Sequence, residues 1–208
     1  MLNELFTRYP VLHSCEKDLV NAKDILVNCF KNGNKLLLCG NGGSCADCEH
    51  IVGELMKGFL KKRPLPQVLK DKMLENCPEI PQSTLNQLQG ALPAISLPAF
   101  CGLNSAFCND VDPELIYAQN IIGLGTKGDV VICISTSGNS KNVYAAALTA
   151  KALGITVISL TGDGGGKLKP VSDVCICVPE TETFKVQELH LPSYHYLCAA
   201  VEAEFFAE

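Results

Sequence analysis

The stretch LLLCGNGGSCADCEHIVGEL, residues 36–55, is the most informative part of this chain for its fold. Its three leading leucines predict a short buried strand, and the glycine-rich residues 40–43 predict a sharp turn. From Ser44 onward the pattern is typical of a helix, with Ser44 as its N-cap. A strand, a glycine turn and a helix N-terminus in this order direct backbone N–H groups towards an anion. The stretch therefore predicts an α/β unit with an anion pocket at the turn.

Two titratable side chains follow on the same predicted helix. His50 and Glu54 are spaced i, i+4, so they share one face. A lone histidine on a helix is more often structural than catalytic, but this one is paired with a carboxylate just after a glycine turn. The pair indicates acid–base or metal chemistry on a phosphorylated substrate.

A second strand-to-helix junction carries a dense group of hydroxyls. The continuous apolar run 130–134 predicts a fully buried strand, and a helix is predicted over 141–153. Between them lie four hydroxyl residues around a glycine, namely Ser135, Thr136, Ser137 and Ser140. Hydroxyls and backbone N–H groups at a helix N-terminus donate readily to phosphate oxygens. This loop is therefore the predicted phosphate site.

The remaining pattern alternates strands with helices. Further strands are predicted at 94–99, 155–160 and 174–178, with helices from Cys15, at 113–122 with Asp112 as cap, and from Thr181 to the C-terminus. Such alternation predicts a three-layer α/β sandwich with a central parallel sheet, in which ligands bind at the carboxyl ends of the strands. A loop carrying Asn104, Ser105, Asn109 and Asp110 is predicted after residue 99.

Length favours a single domain over residues 1–208. Residues 61–92 fit this plan least, because four prolines divide them into short helical pieces at 67–75 and 83–88. We interpret 61–92 as an insertion or a mobile flap near the site.

Composition excludes several classes of protein. The net charge of -5 argues against a nucleic-acid binder, and the basic run 57–63 is interpreted as a solvated loop or helix end. No apolar run reaches about 18 residues, so no membrane span is expected. The N-terminus has no signal-peptide pattern, and the twelve cysteines are scattered rather than arranged as a disulfide framework. We therefore expect a cytoplasmic protein in a reducing compartment.

Four motifs taken together resemble the SIS (sugar isomerase) domain family. They are CGNGGS at 39–44, the His50/Glu54 pair, ISTSGNS at 134–140, and Gln187, His190 and His195 on the last predicted helix. The resemblance covers residues 35–205, interrupted at 61–92. Within the family, the motifs most resemble those of the phosphoheptose isomerases. It implies a flavodoxin-like SIS sandwich with long N-terminal and C-terminal helices.

The resemblance also implies roles for individual residues. Glu54 and His195 resemble the catalytic base and acid that interconvert sedoheptulose 7-phosphate and D-glycero-D-manno-heptose 7-phosphate through an enediol. The implied substrate contacts are Asn41, Gly42, Gly43, Ser44, Asn109, Asp110, Ser135, Thr136, Ser137, Ser140 and Gln187. Family members are typically homotetramers with active sites at subunit interfaces.

Some members of the family bind zinc at the positions that match His50, Glu54, Gln187 and His195. In a straight helix Gln187 and His195 lie about 12 Å apart along the axis, so one metal does not easily take both. Either Gln187 sits at a loosened helix start, or Pro192 kinks the helix, or the ligands come from different subunits. The sequence therefore leaves zinc open as a cofactor.

Two other functions remain open. One is a non-catalytic SIS protein that binds phosphosugars and associates with a replication initiator. The other is a different SIS activity, such as an amino-sugar phosphate isomerase or an N-acetylmuramate phosphate etherase. The presence of Glu54 and His195 favours the isomerase, while residues 61–92 leave the sugar open.

Overall fold

A computed structural model describes residues 1–206, and its centre is one five-stranded, all-parallel sheet. The strand order is β2-β1-β3-β4-β5. The strands are β1 (Leu36–Gly40), β2 (Ala94–Ser96), β3 (Val130–Ser135), β4 (Thr156–Thr161) and β5 (Val174–Cys177). The five predicted strands are thus confirmed, although β2 is shorter than predicted because Leu97–Ala99 form a 3-10 turn.

Helices cover both faces of the sheet, so the predicted three-layer sandwich is confirmed. They are α1 (Leu2–Arg8), α2 (Glu16–Lys31), α3 (Gly43–Met56), α4 (Gln67–Asn76), α5 (Gln82–Gln87), α6 (Cys101–Asp110), α7 (Ile116–Leu124), α8 (Lys141–Ala152) and α9 (Thr183–Phe205). In the N-terminal segment a 3-10 turn, Pro10–Cys15, separates α1 from the longer α2.

Alternation along the strands divides the core into two clusters. Leu36 and Leu38 of β1 pack with α1, α2, α3 and α9 on one face, while Leu37 and Cys39 pack with α7 and α8 on the other. Both sides of β1 and β3 are fully buried. This explains why their sequences are continuous apolar runs, since a central parallel strand has no solvent-facing side.

The strand order places a crevice between β1 and β3. These two strands pair in register from Leu36↔Val130 to Gly40↔Ile134. After β1 the chain crosses to β2 on one side, and after β3 it crosses to β4 on the other. Ligands of such sheets bind where the chain departs in opposite directions, outside the carboxyl ends of the strands. The two loops singled out in the sequence leave β1 and β3 at that point.

Two local predictions near this crevice are wrong. Helix α3 begins at Gly43 with Gly42 in the N-cap position at φ 56°, so Ser44 is not the cap but a buried residue of the first turn. Glycine readily adopts this positive φ. Helix α3 therefore begins earlier in the chain than it would with Ser44 as its N-cap. Asn104, Ser105, Asn109 and Asp110 do not lie in a loop, since all four belong to α6.

The basic run 57–63 is not uniformly solvated, because Arg63 is only 1% exposed. Beyond it, residues 61–92 include α4 and α5, and an isolated antiparallel bridge between Pro64 and Gln89 pairs the two ends of this segment. Helix α4 has no buried residue, and α5 buries only Leu85. Helix α9 continues through Pro192 without a break. None of the helices in residues 1–206 is long and apolar enough to cross a membrane.

Candidate functional site

The loop after β1 is fixed by hydrogen bonds to the helices on either side of the crevice. The Asn41 and Asn142 amides exchange two hydrogen bonds, at 2.8 and 2.9 Å, which join the start of α3 to the start of α8. The buried Tyr117 hydroxyl donates to the Gly40 carbonyl at 2.8 Å and contacts the Asn41 side-chain oxygen at 3.1 Å. Two helix N-termini, each with free N–H groups and a positive dipole end, therefore open onto one crevice.

Residues 135–140, named here the hydroxyl loop, leave β3 directly beside that turn. The Ser135 and Ser140 hydroxyls contact each other at 2.9 Å, and the Asn139 N–H donates to the Ser137 hydroxyl at 3.2 Å. Thr136 is half-buried and Ser137 is exposed. The four hydroxyls thus surround one short turn at the N-terminus of α8, which is an arrangement suited to a phosphate.

The backbone behind the hydroxyl loop is tightly packed. Gly138 has φ 66°, and a Cβ added there would lie 2.1 Å from the Gly165 carbonyl oxygen. The Gly138 carbonyl accepts a hydrogen bond from the Leu168 N–H at 3.1 Å, and the Gly162 N–H donates to the Thr136 carbonyl at 2.9 Å. The glycine loop after β4 therefore acts as a support for the hydroxyl loop.

Helix α9 begins at the same edge of the sheet. The side chain of its residue Gln187 lies over the start of α3, where a Cβ added to Gly43 would come within 2.5 Å of the Gln187 amide nitrogen. A residue larger than glycine at position 43 would displace this amide. Gln187 therefore belongs with Asn41, Gly42 and Gly43 at the open end of the crevice.

His50, Glu54 and His195, named here the catalytic cluster, come together further along the same two helices. The His50 Nε2 atom lies 3.2 Å from Glu54 Oε1 and 3.4 Å from His195 Nε2. The Glu54 side chain is 14% exposed and also accepts a hydrogen bond from the Lys57 ammonium at 3.3 Å. The structure thus joins a pair from α3 to a histidine 145 residues further along the chain.

Two residues of this region, Tyr194 and Asp47, were not predicted. The Tyr194 hydroxyl donates to Asp47 at 3.2 Å and lies 2.9 Å from His50 Nδ1. Because its single proton goes to Asp47, the hydroxyl accepts from His50 Nδ1–H. The Nε2 atom of His50 is then left facing both Glu54 Oε1 and His195 Nε2. Asp47 shares the helix face of His50 and Glu54 at i−3, a spacing that sequence analysis had available.

His195 lies at the border between the interior and a surface groove. Burial and the neighbouring His50 lower the pKa of His195, so its imidazole is neutral at neutral pH. Its ring packs against Phe59 and Tyr194, with centroid separations of 5.5 and 5.1 Å. The adjoining groove, of about 360 Å³, lies between α1 and α9 and is lined largely by apolar side chains. A neutral imidazole can both donate and accept a proton.

His190 lies between the two parts of the site on α9 and is completely buried. Within residues 1–206, neither of its ring nitrogens meets the geometry of a hydrogen bond. Burial lowers the pKa of His190 to about 4. Its imidazole is therefore neutral and inaccessible, which is consistent with a structural residue.

The structure does not bring all the residues predicted to bind zinc together within one chain. Gln187 is eight residues before His195 on α9, about 12 Å along the helix, and it contacts Gly43 instead. Among residues 1–206, no three His, Cys, Asp or Glu side chains are grouped so as to hold a metal ion. Asn109 and Asp110 are exposed at the end of α6, where the Asn109 amide donates to Asp110 at 2.8 Å.

Comparisons with known proteins agree with the motifs. Two SIS domain family models match the chain, one over residues 103–200 and the other over residues 10–95. The phosphoheptose isomerase of Helicobacter pylori is 36% identical over 194 residues, which cover 93% of this chain and 88% of that protein. That of Methylibium petroleiphilum is 37% identical over 195 residues, covering 92% of this chain and 84% of the relative.

A solved structure of phosphoheptose isomerase from Neisseria gonorrhoeae has the same fold. It superimposes with a TM-score of 0.74 and 28% identity, and the match covers 98% of this chain and 100% of that one. The similarity therefore extends over the whole sandwich, including both loops at the crevice and helix α9.

Proposed function

Because this chain belongs to the phosphoheptose isomerase family of SIS-domain proteins, we propose that it interconverts sedoheptulose 7-phosphate and D-glycero-D-manno-heptose 7-phosphate. The single observation that carries the proposal is the contact of His195 with the His50/Glu54 pair at 3.4 Å. It brings the neutral imidazole of His195 to His50, which contacts the Glu54 carboxylate at 3.2 Å, on helices that also reach the crevice. The product would supply heptose for lipopolysaccharide or other surface glycans.

In this proposal Glu54 and His195 perform the proton transfers. Glu54 removes a proton from the carbon next to the substrate carbonyl and returns it to the neighbouring carbon, while His195 moves a proton between the two oxygens. Each such group contributes roughly 10²–10⁴ in rate. The low exposure of Glu54 favours this role, since water competes less for its carboxylate.

The hydroxyl loop holds the phosphate in the same proposal. Ser135, Thr136, Ser137 and Ser140 donate from their side chains, and the N-terminus of α8 adds backbone N–H groups. The sugar hydroxyls are contacted by Asn41, Gly42, Gly43, Ser44, Asn109, Asp110 and Gln187. Binding energy at the phosphate then serves to orient the reacting carbons at the catalytic cluster.

We also propose zinc as an occupant of the catalytic cluster. Two imidazoles and a carboxylate are ligand types that zinc prefers. Residues 1–206 of one chain group no three such side chains so as to hold an ion, so the site would be completed by side chains of another subunit. His50, Glu54 and His195 would hold the ion, with Gln187 contributed by another subunit. When bound, zinc would stabilise negative charge on the substrate oxygens. Metal analysis of protein purified without chelator tests this, and metal-free protein with full activity would contradict it.

The remaining expectations from the family concern assembly and location. We propose a single SIS domain that forms homotetramers, with residues 61–92 as a flap near a site at a subunit interface. Exposed apolar side chains such as Leu103 and Ile122 on α6 and α7 support an interface. Free thiols at all twelve cysteines support a reducing compartment, such as the cytoplasm. Light scattering of the purified protein measures the oligomeric state directly.

The decisive experiment follows hydrogen exchange in deuterated water. We expect the protein to exchange the proton on the carbon next to the carbonyl of sedoheptulose 7-phosphate, as measured by NMR. Glu54→Gln abolishes the exchange, whereas the matched control Glu49→Gln, an exposed carboxylate on the same helix, retains it. Exchange with a different sugar phosphate would redirect the assignment to another SIS activity.

A non-catalytic phosphosugar-binding protein is the alternative and is not favoured, because the relatives are phosphoheptose isomerases and the catalytic cluster is assembled. Binding of sugar phosphates without any exchange would support this alternative and contradict the isomerase.

A further inference from the structure

A buried ion pair between Arg63 and Glu202 lies directly behind the catalytic cluster. Both side chains are at most 1% exposed, and the Arg63 Nε–Glu202 Oε1 distance is 2.8 Å. Burying such a pair removes two charges from water, and apolar residues of similar volume are often equally stable in its place. Stability alone is therefore a weak explanation for the pair.

Arg63 is hydrogen bonded to the end of the helix that carries Glu54. Its guanidinium donates to the Leu55 carbonyl at 2.6 Å and to the Glu54 carbonyl at 3.0 Å. The last carbonyls of a helix lack partners within the helix, and α3 ends at Met56. Arg63 thus satisfies two of these carbonyls and fixes the backbone of Glu54 itself.

Glu202 is connected to His195 in a similar way, through Phe59. It follows His195 by seven residues on α9, so both side chains lie on one face of the helix. Its carboxylate accepts hydrogen bonds from the Phe59 and Leu60 N–H groups, both at 2.8 Å. This contact holds Phe59 in place, and the Phe59 ring packs against the His195 imidazole.

On the basis of the isomerase function proposed above, we propose that Arg63 and Glu202 are positioning residues that set the separation between Glu54 and His195. Arg63 holds the Glu54 backbone, Glu202 holds Phe59 against His195, and the ion pair joins the two. Glu54 and His195 come from helices that are distant in sequence, so the ion pair holds the two side chains at a fixed separation.

A second ion pair, between residues that precede β1 and β3, provides a matched control. Lys35 contacts Asp129 at 2.6 Å, and the Asp129 side chain is 1% exposed. Asp129 also accepts hydrogen bonds from the backbone N–H groups of Lys35 and Thr126. These residues precede β1 and β3, whereas the crevice lies at the other ends of those strands.

The test compares Arg63→Met with Lys35→Met. Each variant removes the cation, keeps an apolar stem and leaves a carboxylate with backbone donors. At a temperature where both variants are folded, we expect Arg63→Met to lower kcat on the order of 10²-fold, because small displacements of reacting groups have effects of that size. KM changes little, since the hydroxyl loop is remote, and Lys35→Met leaves both constants unchanged.

Unchanged kcat in Arg63→Met, or an equal loss in both variants, would overturn the inference while leaving the isomerase function intact. A parent protein without exchange activity would instead refute the proposed function and this inference with it. If Arg63→Met does not fold, Arg63→Lys takes its place. Lysine keeps the charge but lacks the fork that reaches Glu202 and both carbonyls, so kcat should fall roughly tenfold, and retention of full kcat would contradict the inference.

Discussion

The proposed function assigns the hydroxyl loop and the catalytic cluster to one active site, yet different parts of the chain hold them in place. Backbone groups support the hydroxyl loop, where Gly138 packs on Gly165 and exchanges hydrogen bonds with residues nearby in sequence. Side chains form the catalytic cluster, where His195 meets His50 across 145 residues of chain. The hydroxyl loop, called here the binding half, is therefore a local structure. The catalytic cluster, called here the reacting half, depends on the packing of α3 against α9.

This difference predicts that substitutions in the two halves change different kinetic constants. In the catalytic cluster, His195→Asn removes the proton carrier and should lower kcat by roughly 10²–10⁴-fold, with a small change in KM. Steady-state isomerisation assays measure both constants. His13→Asn, on an exposed histidine, is the matched control. A large rise in KM with full kcat would mean that His195 serves binding rather than catalysis.

In the binding half, Gly138→Ala should act through the backbone. The added Cβ would clash with Gly165 and sit at a positive φ, so we expect a loss of about 3 kcal/mol in unfolding free energy and a raised KM. Gly164→Ala shares the positive φ but meets no atom within 4 Å, so its loss should be smaller. Urea unfolding of both variants measures the difference, and equal losses would contradict tight packing behind the loop.

His190 tests how tightly α9 is packed between the two halves. Its pKa is lowered to about 4 in the folded state, below the value of about 6.5 for an unfolded chain. The unfolded state therefore binds more protons between these values, and stability falls as the pH drops through this window. At pH 5 we expect a loss on the order of 2 kcal/mol relative to pH 7 from this residue.

The measurement for His190 is urea unfolding at pH 7 and pH 5, compared with His190→Leu. Leucine has no titrating group, so the variant should lose less stability on acidification than the parent. Identical pH dependence in the two proteins would show that the ring is hydrated in the folded state.

The smallest effect is expected for a single hydroxyl of the hydroxyl loop. Ser140→Ala removes the contact with Ser135 and one donor to the phosphate, so sugar phosphate binding should weaken by about 1 kcal/mol, roughly fivefold. Calorimetry with inorganic phosphate and with the sugar phosphate measures this. Unchanged affinity for both ligands would move the phosphate site away from the loop.

The same contrast explains what sequence analysis could predict. The strands and the hydroxyl loop were predictable because apolar runs, glycines and hydroxyls lie next to one another in the chain. The pairing of His50 with Glu54 was visible for the same reason. Ser44 was wrongly predicted as the N-cap of α3, because its side chain turns inward. Helix α6, which contains Asn109 and Asp110, was not predicted because its sequence is polar and contains glycine.

Arg63 and Tyr194 could not be predicted because their roles depend on tertiary contacts. A cationic residue in a basic run is normally solvated, and only the folded chain shows Glu202 next to Arg63. Tyr194 has an ordinary sequence context, and its hydroxyl reaches Asp47 and His50 only after α9 has docked on α3. Local sequence patterns do not predict which side chains of distant helices contact each other.

The long separation between His50 and His195 has a consequence for folding kinetics. Closing a long chain segment is entropically costly, so contacts between distant residues form late. The hydroxyl loop and its glycine support lie within residues 130–168, a single stretch of neighbouring elements. During refolding, phosphate binding should therefore return before catalytic activity, and recovery of turnover would report the docking of the last helix.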